Sequence, residues 1–139
     1  MLAARYEHNV DAQNRVTIPS RLRDGIEKNI RIMPTPDEIP CLYVYSEAEF
    51  NKVEAALHAK AVTSEARSAV RRLLGDVVYG EIDKAGRITL TQELVDYSGI
   101  TGKVMIVKNA NHVEIWSIDN WLIESSAEVD NSVLNGVVF

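Results

Sequence analysis

Two turns of the chain each combine an acid with an arginine four residues later, and such a pair could bind a ligand. They are Asp11-Ala12-Gln13-Asn14-Arg15 and Asp83-Lys84-Ala85-Gly86-Arg87. An acid on a rigid turn can orient the planar guanidinium of arginine, which presents a fork of donors to a phosphate or to a guanine edge. Alternatively, each pair is a surface ion pair, which contributes only about 0 to 1 kcal/mol to stability. The residues alone favour neither interpretation.

Other reactive side chains are few and scattered. His8, His58 and His112 are far apart, and no two of them have the spacing of metal ligands on one helix. The one cysteine, Cys41, lies in an apolar strand pattern and is expected in the core. Neither a glycine-rich phosphate loop nor a Gly-x-Ser-x-Gly motif occurs. We therefore expect no catalytic residue, no metal and no cofactor; an enzyme whose groups assemble only in space is the alternative.

The first acid–arginine turn lies between two predicted strands. Residues 5–10 alternate as a strand does, and residues 15–18 are rich in β-branched side chains, so the two are expected to form a hairpin around the turn. Pro19 ends the second strand and fits the start of a short helix over residues 20–24. That helix carries Arg21 and Arg23 and is expected to stop at Gly25.

The same unit occurs again 72 residues later. Asp11 corresponds to Asp83 and Arg15 to Arg87, while Asn14 corresponds to Gly86. Asparagine and glycine are the residues that best tolerate a positive φ, so this position of each turn is expected to be left-handed. A second match, residues 42–46 with residues 113–117, has a spacing of 71. A nearly constant period indicates an internal duplication, and two such small halves are expected to share one core.

The remaining pattern predicts more strands, short helices and a polar end. Strands are expected over residues 30–32, 41–45, 77–82, 87–90, 103–107 and 113–116. Helices are expected to begin at Ser46, at Thr63-Ser64 (ending at Gly75), near residue 92 and at Ser117. The fold class expected from this order is mostly β with short helices, an α+β protein. From Ser125 onward the pattern decays into an acidic, polar tail.

Charge is distributed unevenly along the 139 residues. The net charge is −5, yet residues 5–31 hold six Lys or Arg against four acids, and no Lys or Arg follows Lys108. Such a chain is not expected to coat nucleic acid indiscriminately, but a local basic patch is what phosphate binding requires. A second group of arginines lies outside the apolar stripe of the helix that begins at Thr63. It is either a solvated face or a further surface for DNA or another subunit, and it comprises Arg67, Arg71 and Arg72.

The sequence resembles the MraZ family of bacterial regulators over about residues 1–124. The residues that carry the resemblance are Tyr6-Glu7-His8-x-x-Asp11-Ala12-x-x-Arg15-x-x-Ile18-Pro19-x-x-x-Arg23, Asp83-x-x-Gly86-Arg87-Ile88 and Val113-Glu114-Ile115-Trp116-Ser117. The resemblance implies two AbrB-like swapped-hairpin halves, interlocked in one pseudo-symmetric β-barrel. It also implies a homo-oligomeric ring that binds short direct repeats of double-stranded DNA upstream of its own operon, in the division and cell-wall gene cluster.

The resemblance also implies which residues face DNA. Arg15 and Arg87 would make the contacts, with Asp11 and Asp83 as their structural orienters. The supporting positions would be Gln13, Asn14, Lys84, Arg21 and Arg23. Gln13 stands where the family usually has Lys, Asn14 where it has Gly, Thr91 where it has Pro and Val95 where it has Arg. Because the second motif is thus poorer in charge, the first is expected to carry more of the contact.

The duplication and the resemblance together divide the chain into four parts. Residues 1–60 are the first repeat with its closing helix, 61–76 a linking helix, 77–124 the second repeat with its closing helix, and 125–139 a tail. Residues 1–5 have no apolar run long enough for a signal peptide, and the longest apolar runs of the chain are too short to span a membrane, so a cytoplasmic protein without a membrane partner is expected. The resemblance implies a regulator that is associated with the nucleoid. The alternative is an oligomeric protein-interaction module with little DNA affinity, which the net charge, Gln13 and Val95 favour.

Overall fold

A computed structural model describes residues 4–139, so the first three residues of the N-terminal stretch and of the first predicted part lie outside it. The described residues form eight strands and four α-helices. The strands are β1 (Arg5–Asn9), β2 (Arg15–Thr17), β3 (Asn29–Pro34), β4 (Leu42–Ser46), β5 (Val78–Glu81), β6 (Arg87–Thr89), β7 (Lys103–Lys108) and β8 (Val113–Ser117). The helices are α1 (Glu47–Lys60), α2 (Ser64–Gly75), α3 (Gln92–Ser98) and α4 (Ile118–Ser126), with short 3-10 helices at Ser20–Leu22 and Asn131–Leu134.

Most predicted elements are present because local chemistry specifies their ends. The Ser46 side chain caps α1 by accepting from the Glu49 N–H, and Ser117 caps α4 in the same way through Asn120. Thr63 caps α2, which ends at Gly75 as expected. The predicted helix over residues 20–24 is a single 3-10 turn, and Gly25 follows it with a φ of 78°. The mostly β, α+β class is therefore confirmed.

Strand pairing joins the two halves of the chain. Within residues 4–139 one antiparallel sheet has six strands in the order β1-β7-β8-β4-β3-β5, and a second sheet contains β2 and β6. The pairs β1–β7, β5–β3, β2–β6 and β4–β8 each connect a first-half strand to a second-half strand. The order is symmetric about the β4–β8 pair if β1 corresponds to β5, β3 to β7 and β4 to β8. The duplicated halves are thus interleaved.

Two expectations about the strands need correction. The predicted hairpin of residues 5–10 with 15–18 is closed only at its turn, where the Asp11 N–H donates to the Arg15 carbonyl at 3.0 Å; beyond it the strands separate to different partners. The barrel is not confirmed either, because over the described residues the six-stranded sheet is open, with β1 and β5 at its edges. The three-residue strands β2 and β6 pair with each other instead of closing the sheet.

The main core collects apolar side chains from both sheets. Its largest fully buried members are Val16, Ile18, Ile30, Ile32, Leu42, Val44, Ile88, Leu90, Val104, Ile106 and Ile115. A smaller cluster lies under α1 and α2, where Phe50 packs with Met33 and Tyr45. Cys41 is fully buried as expected, and burial raises the pKa of its thiol well above the ordinary range. The two interleaved halves therefore share one core.

The C-terminal region is exposed. α4 leaves Leu122 and Ile123 more than half exposed, and the residues after it carry further exposed apolar side chains, among them Val133 and Phe139. From Ala4 to Phe139, no helix is both long and apolar enough to cross a membrane.

Candidate nucleic-acid interface

The first turn is organised by the carboxylate of Asp11. Its Oδ1 accepts from the backbone N–H groups of Gln13 and Arg15, both at 2.9 Å, and its Oδ2 accepts from the Arg15 Nε at 2.7 Å. One side chain thus closes the turn and fixes the direction of the arginine. The hydrogen bond to the acid uses Nε, so both Nη groups are left for other acceptors; one Nη lies 3.4 Å from the Gln13 Oε1.

The second turn repeats this arrangement atom for atom. The Asp83 Oδ1 accepts from the Ala85 and Arg87 N–H groups at 2.9 and 2.8 Å, and its Oδ2 accepts from the Arg87 Nε at 2.8 Å. The position after the middle of each turn is left-handed, with φ 58° at Asn14 and 81° at Gly86, as the sequence predicts. Two copies of one local structure have therefore been kept.

Both carboxylates are held in their charged form. The backbone N–H of Arg15 lowers the pKa of Asp11 below its ordinary value of 3.8, and burial opposes the shift only in part. The Arg87 N–H does the same for Asp83. Each turn consequently keeps an ionised acid, and an oriented arginine, throughout the neutral pH range.

The β2–β6 ladder places the two arginines on one face. Arg15 is paired with Thr89 and Arg87 with Thr17, and directly opposed residues of an antiparallel ladder share a face. Their Cα atoms are thus offset by about 7 Å along the strands and about 5 Å across the ladder. Val16 and Ile88 lie on the other face and are buried. This face therefore carries two oriented guanidinium groups at a fixed separation.

The two turns also hold each other's strands. The Ile18 N–H donates to the Gly86 carbonyl at 2.8 Å, and the Leu90 N–H donates to the Asn14 carbonyl at 2.8 Å. Each turn is thereby anchored to the strand that follows the other turn. The backbone of each turn is thus tied to the opposite half of the molecule.

The other predicted residues lie around this face in different ways. Gln13 and Lys84 are exposed at the tips of the two turns, and Arg21 is exposed on the 3-10 helix. Arg23 is half-buried and lies against Gly86, so it belongs in space to the second turn, although it follows the first turn in sequence. The sequence position of Arg23 does not reveal that it lies beside the second turn. The one indication in the sequence is the glycine at residue 86, where the first turn has Asn14.

A second polar cluster lies away from this face and is enclosed. The Glu114 carboxylate accepts from Trp116 Nε1 at 3.0 Å and Asn109 Nδ2 at 3.1 Å, and its Oε2 lies 2.9 Å from His112 Nε2. Tyr43 stacks on His112 with ring centroids 4.1 Å apart. The sequence predicts a strand over residues 113–116 and gives no sign that His112 belongs to a cluster. Because Glu114 and His112 are both less than a tenth exposed, we assign this cluster to the packing of the protein and not to a ligand site.

Metal ligation finds no support in the part of the chain described: from residue 4 onward, no three His, Cys, Asp or Glu side chains are grouped so that they could hold an ion. The exposed acid–arginine turns therefore remain the arrangement in this structure with the clearest capacity to bind a ligand. What they offer chemically is paired donors for anionic or planar acceptor groups.

Comparison with known proteins points in the same direction. The family model for MraZ protein matches twice, over residues 1–73 and 73–132. A protein of Caldicellulosiruptor bescii named transcriptional regulator MraZ is 36% identical over 129 residues, 92% of this chain and 89% of the relative. Proteins with the same name from Acetivibrio thermocellus and Thermoanaerobacter pseudethanolicus are 34% and 38% identical over 122 residues, 87% of this chain and 84% of each relative.

Proposed function

Because the chain belongs to the MraZ family, we propose that it is a DNA-binding transcriptional regulator and not an enzyme. In the finer form of the proposal, it is cytoplasmic and associated with the nucleoid. It binds direct repeats upstream of its own operon, in the division and cell-wall gene cluster. The contacts are made by the face that carries Arg15 and Arg87.

One observation carries this proposal: two arginines stand on one face, each held through Nε by an acid of its own turn. An arginine held in this way keeps its two Nη groups for another acceptor, and paired guanidinium donors can read the O6 and N7 atoms of guanine or grip a phosphate. Preorganisation matters because the entropy of ordering a long side chain has already been lost before DNA arrives. A surface ion pair alone would not require the same geometry twice.

Affinity is expected to come from several subunits acting together. One β2–β6 face is small and carries few charges, so a single contact with DNA is weak. A homo-oligomeric ring would present several such faces, and tandem repeats would engage them at a high effective concentration. The acidic remainder of the chain, which brings the net charge to −5, disfavours indiscriminate binding.

The proposal is tested by a fluorescence-anisotropy titration. The probe is the duplex upstream of this protein's own gene, with one, two or three repeats, against a shuffled duplex at two salt concentrations. We expect tight binding that grows with repeat number and weakens steeply with salt, since phosphate contacts release counterions. Arg15→Gln and Arg87→Gln are expected to weaken this binding, whereas Arg72→Gln, the same charge loss on the exposed face of α2, is expected to keep it. Equal weakening by Arg72→Gln would instead assign the arginines of α2 to the DNA surface.

Equal, weak binding to both probes would contradict the proposal. It would favour the second candidate, an oligomeric protein-interaction module. That candidate has a specific observation behind it, namely the exposed apolar side chains of α4 and the C-terminal residues, including Leu122, Ile123 and Val133. A stable oligomer by sedimentation velocity, together with no specific DNA binding, would establish the module instead.

A further inference from the structure

The guanidinium of Arg23 occupies the space beside Gly86 in which a Cβ would stand. A methyl group placed on Gly86 would be only 2.5 Å from Arg23 Nη1 and 2.6 Å from Cζ. Atoms of a side chain and a Cβ do not approach so closely, so this contact requires glycine. Arg23 follows the first turn in sequence, whereas Gly86 belongs to the second turn. The contact therefore crosses between the two halves of the molecule.

Arg23 has no acidic partner in the described structure. Among residues 4–139 its nitrogens form no ion pair, and its Nε is buried without a hydrogen-bond partner. Arg87, the next residue after Gly86, is paired with Asp83, and Lys84 lies on the same turn. With Arg23, three basic side chains thus surround this turn against one acid. A partly buried guanidinium without an ion pair of its own, on a turn with excess positive charge, is electrostatically unfavourable. A bound anion would remove that cost.

The duplication supplies an internal comparison for this arrangement. At the positions that correspond to Arg23 and Gly86, the other half of the chain has Val95 and Asn14. Val95 packs against the main core, and Asn14 carries a side chain at the place where glycine is needed. The first turn therefore has Arg15 as its one basic residue and the second has Lys84 and Arg87, joined by Arg23.

We propose that Arg23, Lys84 and Arg87 form a composite phosphate site between the halves, which makes the second turn the main contact with the DNA backbone. The inference rests on the proposed DNA-binding function. It reverses the expectation from sequence that the first motif carries more of the contact, because Arg23 adds its charge to the second turn. The ligand is a phosphate of the DNA backbone, and Arg15 at the first turn makes the smaller contribution.

The first test compares matched losses of one arginine. Arg23→Val copies the residue of the other half, and Arg72→Val is the same change on α2. Arg23→Val is expected to weaken binding to the upstream duplex about tenfold or more and to make the dependence of log K on log salt shallower, by roughly one unit per subunit bound. Arg72→Val is expected to stay within about twofold. Arg87→Gln is expected to weaken binding more than Arg15→Gln.

A second test builds the site at the other turn, so that it does not depend on a loss. The double variant Val95→Arg with Asn14→Gly copies the Arg23–Gly86 contact onto the first turn. It is expected to bind the duplex more tightly and with a steeper salt dependence than the wild type. Gly86→Asn keeps the charge of Arg23 but pushes it off the turn, and it is expected to weaken binding as Arg23→Val does.

Circular-dichroism melting of every variant separates folding from binding. If Arg23→Val binds like Arg72→Val, or if the double variant folds and binds no more tightly than the wild type, the composite site is refuted, although the wild type still binds DNA through its arginines. If the wild type itself shows no salt-sensitive preference for the upstream duplex, the proposed function is the part that fails.

Discussion

At the scale of single residues, the carboxylate of each turn aspartate both closes its turn and holds its arginine. One oxygen satisfies backbone N–H groups that a tight turn would otherwise leave to water, and the other holds the arginine. Substitution by alanine would therefore remove the turn and the orientation of the arginine together. Asparagine separates these roles, because its amide oxygen can still accept from the backbone but it carries no charge for the guanidinium.

We expect Asp11→Asn and Asp83→Asn to stay folded and to weaken DNA binding several-fold, through a less ordered arginine. Arginine Nε relaxation by NMR should report the added motion directly. An unchanged affinity with a mobile Arg15 or Arg87 would mean that orientation by the acid is irrelevant to binding.

The pH dependence of these turns has a definite sign. Because the pKa of both aspartates is below 3.8 in the folded protein, their contribution is fully present above that value and is lost as the pH falls through the lower folded pKa. Between pH 5 and 8 we expect the carboxyl carbon shifts of Asp11 and Asp83 to stay constant in a carbon-13 NMR titration. A midpoint above 3.8 for either acid would contradict the hydrogen-bonding scheme.

The buried Glu114 tests how much hydrogen bonding to a buried carboxylate contributes to stability. Burial by itself raises its pKa, but hydrogen bonds from His112, Asn109 and Trp116 outweigh burial and keep the pKa below the ordinary 4.5. Glu114→Gln replaces one of the two acceptor oxygens by an NH2 donor that faces other donors, so we expect a loss of about 1 to 3 kcal/mol in the free energy of urea unfolding at pH 7. The difference from wild type should shrink as the pH falls below 4.5, since the carboxylate then protonates.

At the scale of elements, the side chains that β2 and β6 bury in the core determine where these strands place the two arginines. Val16 and Ile88 are buried on one face of three-residue strands whose other face carries Arg15 and Arg87. A strand this short has few ladder hydrogen bonds, so the buried side chains fix its orientation. A cavity made beneath the ladder should consequently disturb the position of the arginines on its outer face.

We expect Ile88→Ala to lower the free energy of unfolding by about 2 to 5 kcal/mol, from lost burial and a cavity. It should also weaken DNA binding under conditions where the variant is fully folded, because the ladder is less well supported. Val62→Ala, at a position that is 78% exposed, is the control and should change stability by less than about 0.5 kcal/mol. Undiminished DNA binding by folded Ile88→Ala would separate the core from the site.

The elements themselves could be predicted from sequence, whereas their pairing could not. Ser46, Thr63, Ser117 and Gly75 mark helix ends by local chemistry, and those ends are found where expected. The alternation of residues 5–10 identifies a strand but not its neighbour. β1 lies beside β7, about a hundred residues away, because a shared core outweighs the local hairpin. The placement of Arg23 beside Gly86 depends on the long-range pairing of β2 with β6, which the sequence did not reveal either.

At the scale of the whole molecule, interleaving makes the halves mutually dependent. Four different strand pairs cross between them, and the main core contains side chains from both. Neither half retains a complete sheet when the other is removed.

We therefore expect fragments 1–76 and 77–139 to be unfolded when separate, although each contains a full repeat of the sequence. Mixing them should restore the β-sheet circular-dichroism signal and the dispersed amide spectrum, with a dependence on concentration that a single chain does not show. A cooperative thermal transition in either fragment alone would mean that the repeat is an independent domain.

The near-symmetry of the molecule has one more consequence. Two identical turns related by a two-fold axis would present the same surface in both orientations, and such a surface matches a palindrome. Here one turn has Gly86 beneath Arg23, and its counterpart has Asn14 with Val95. Under the proposed function the two turns are therefore not equivalent, and a bound subunit would have a direction along the duplex. A direct repeat also has polarity, so a subunit with unequal turns can sit on every copy of such a repeat in the same direction.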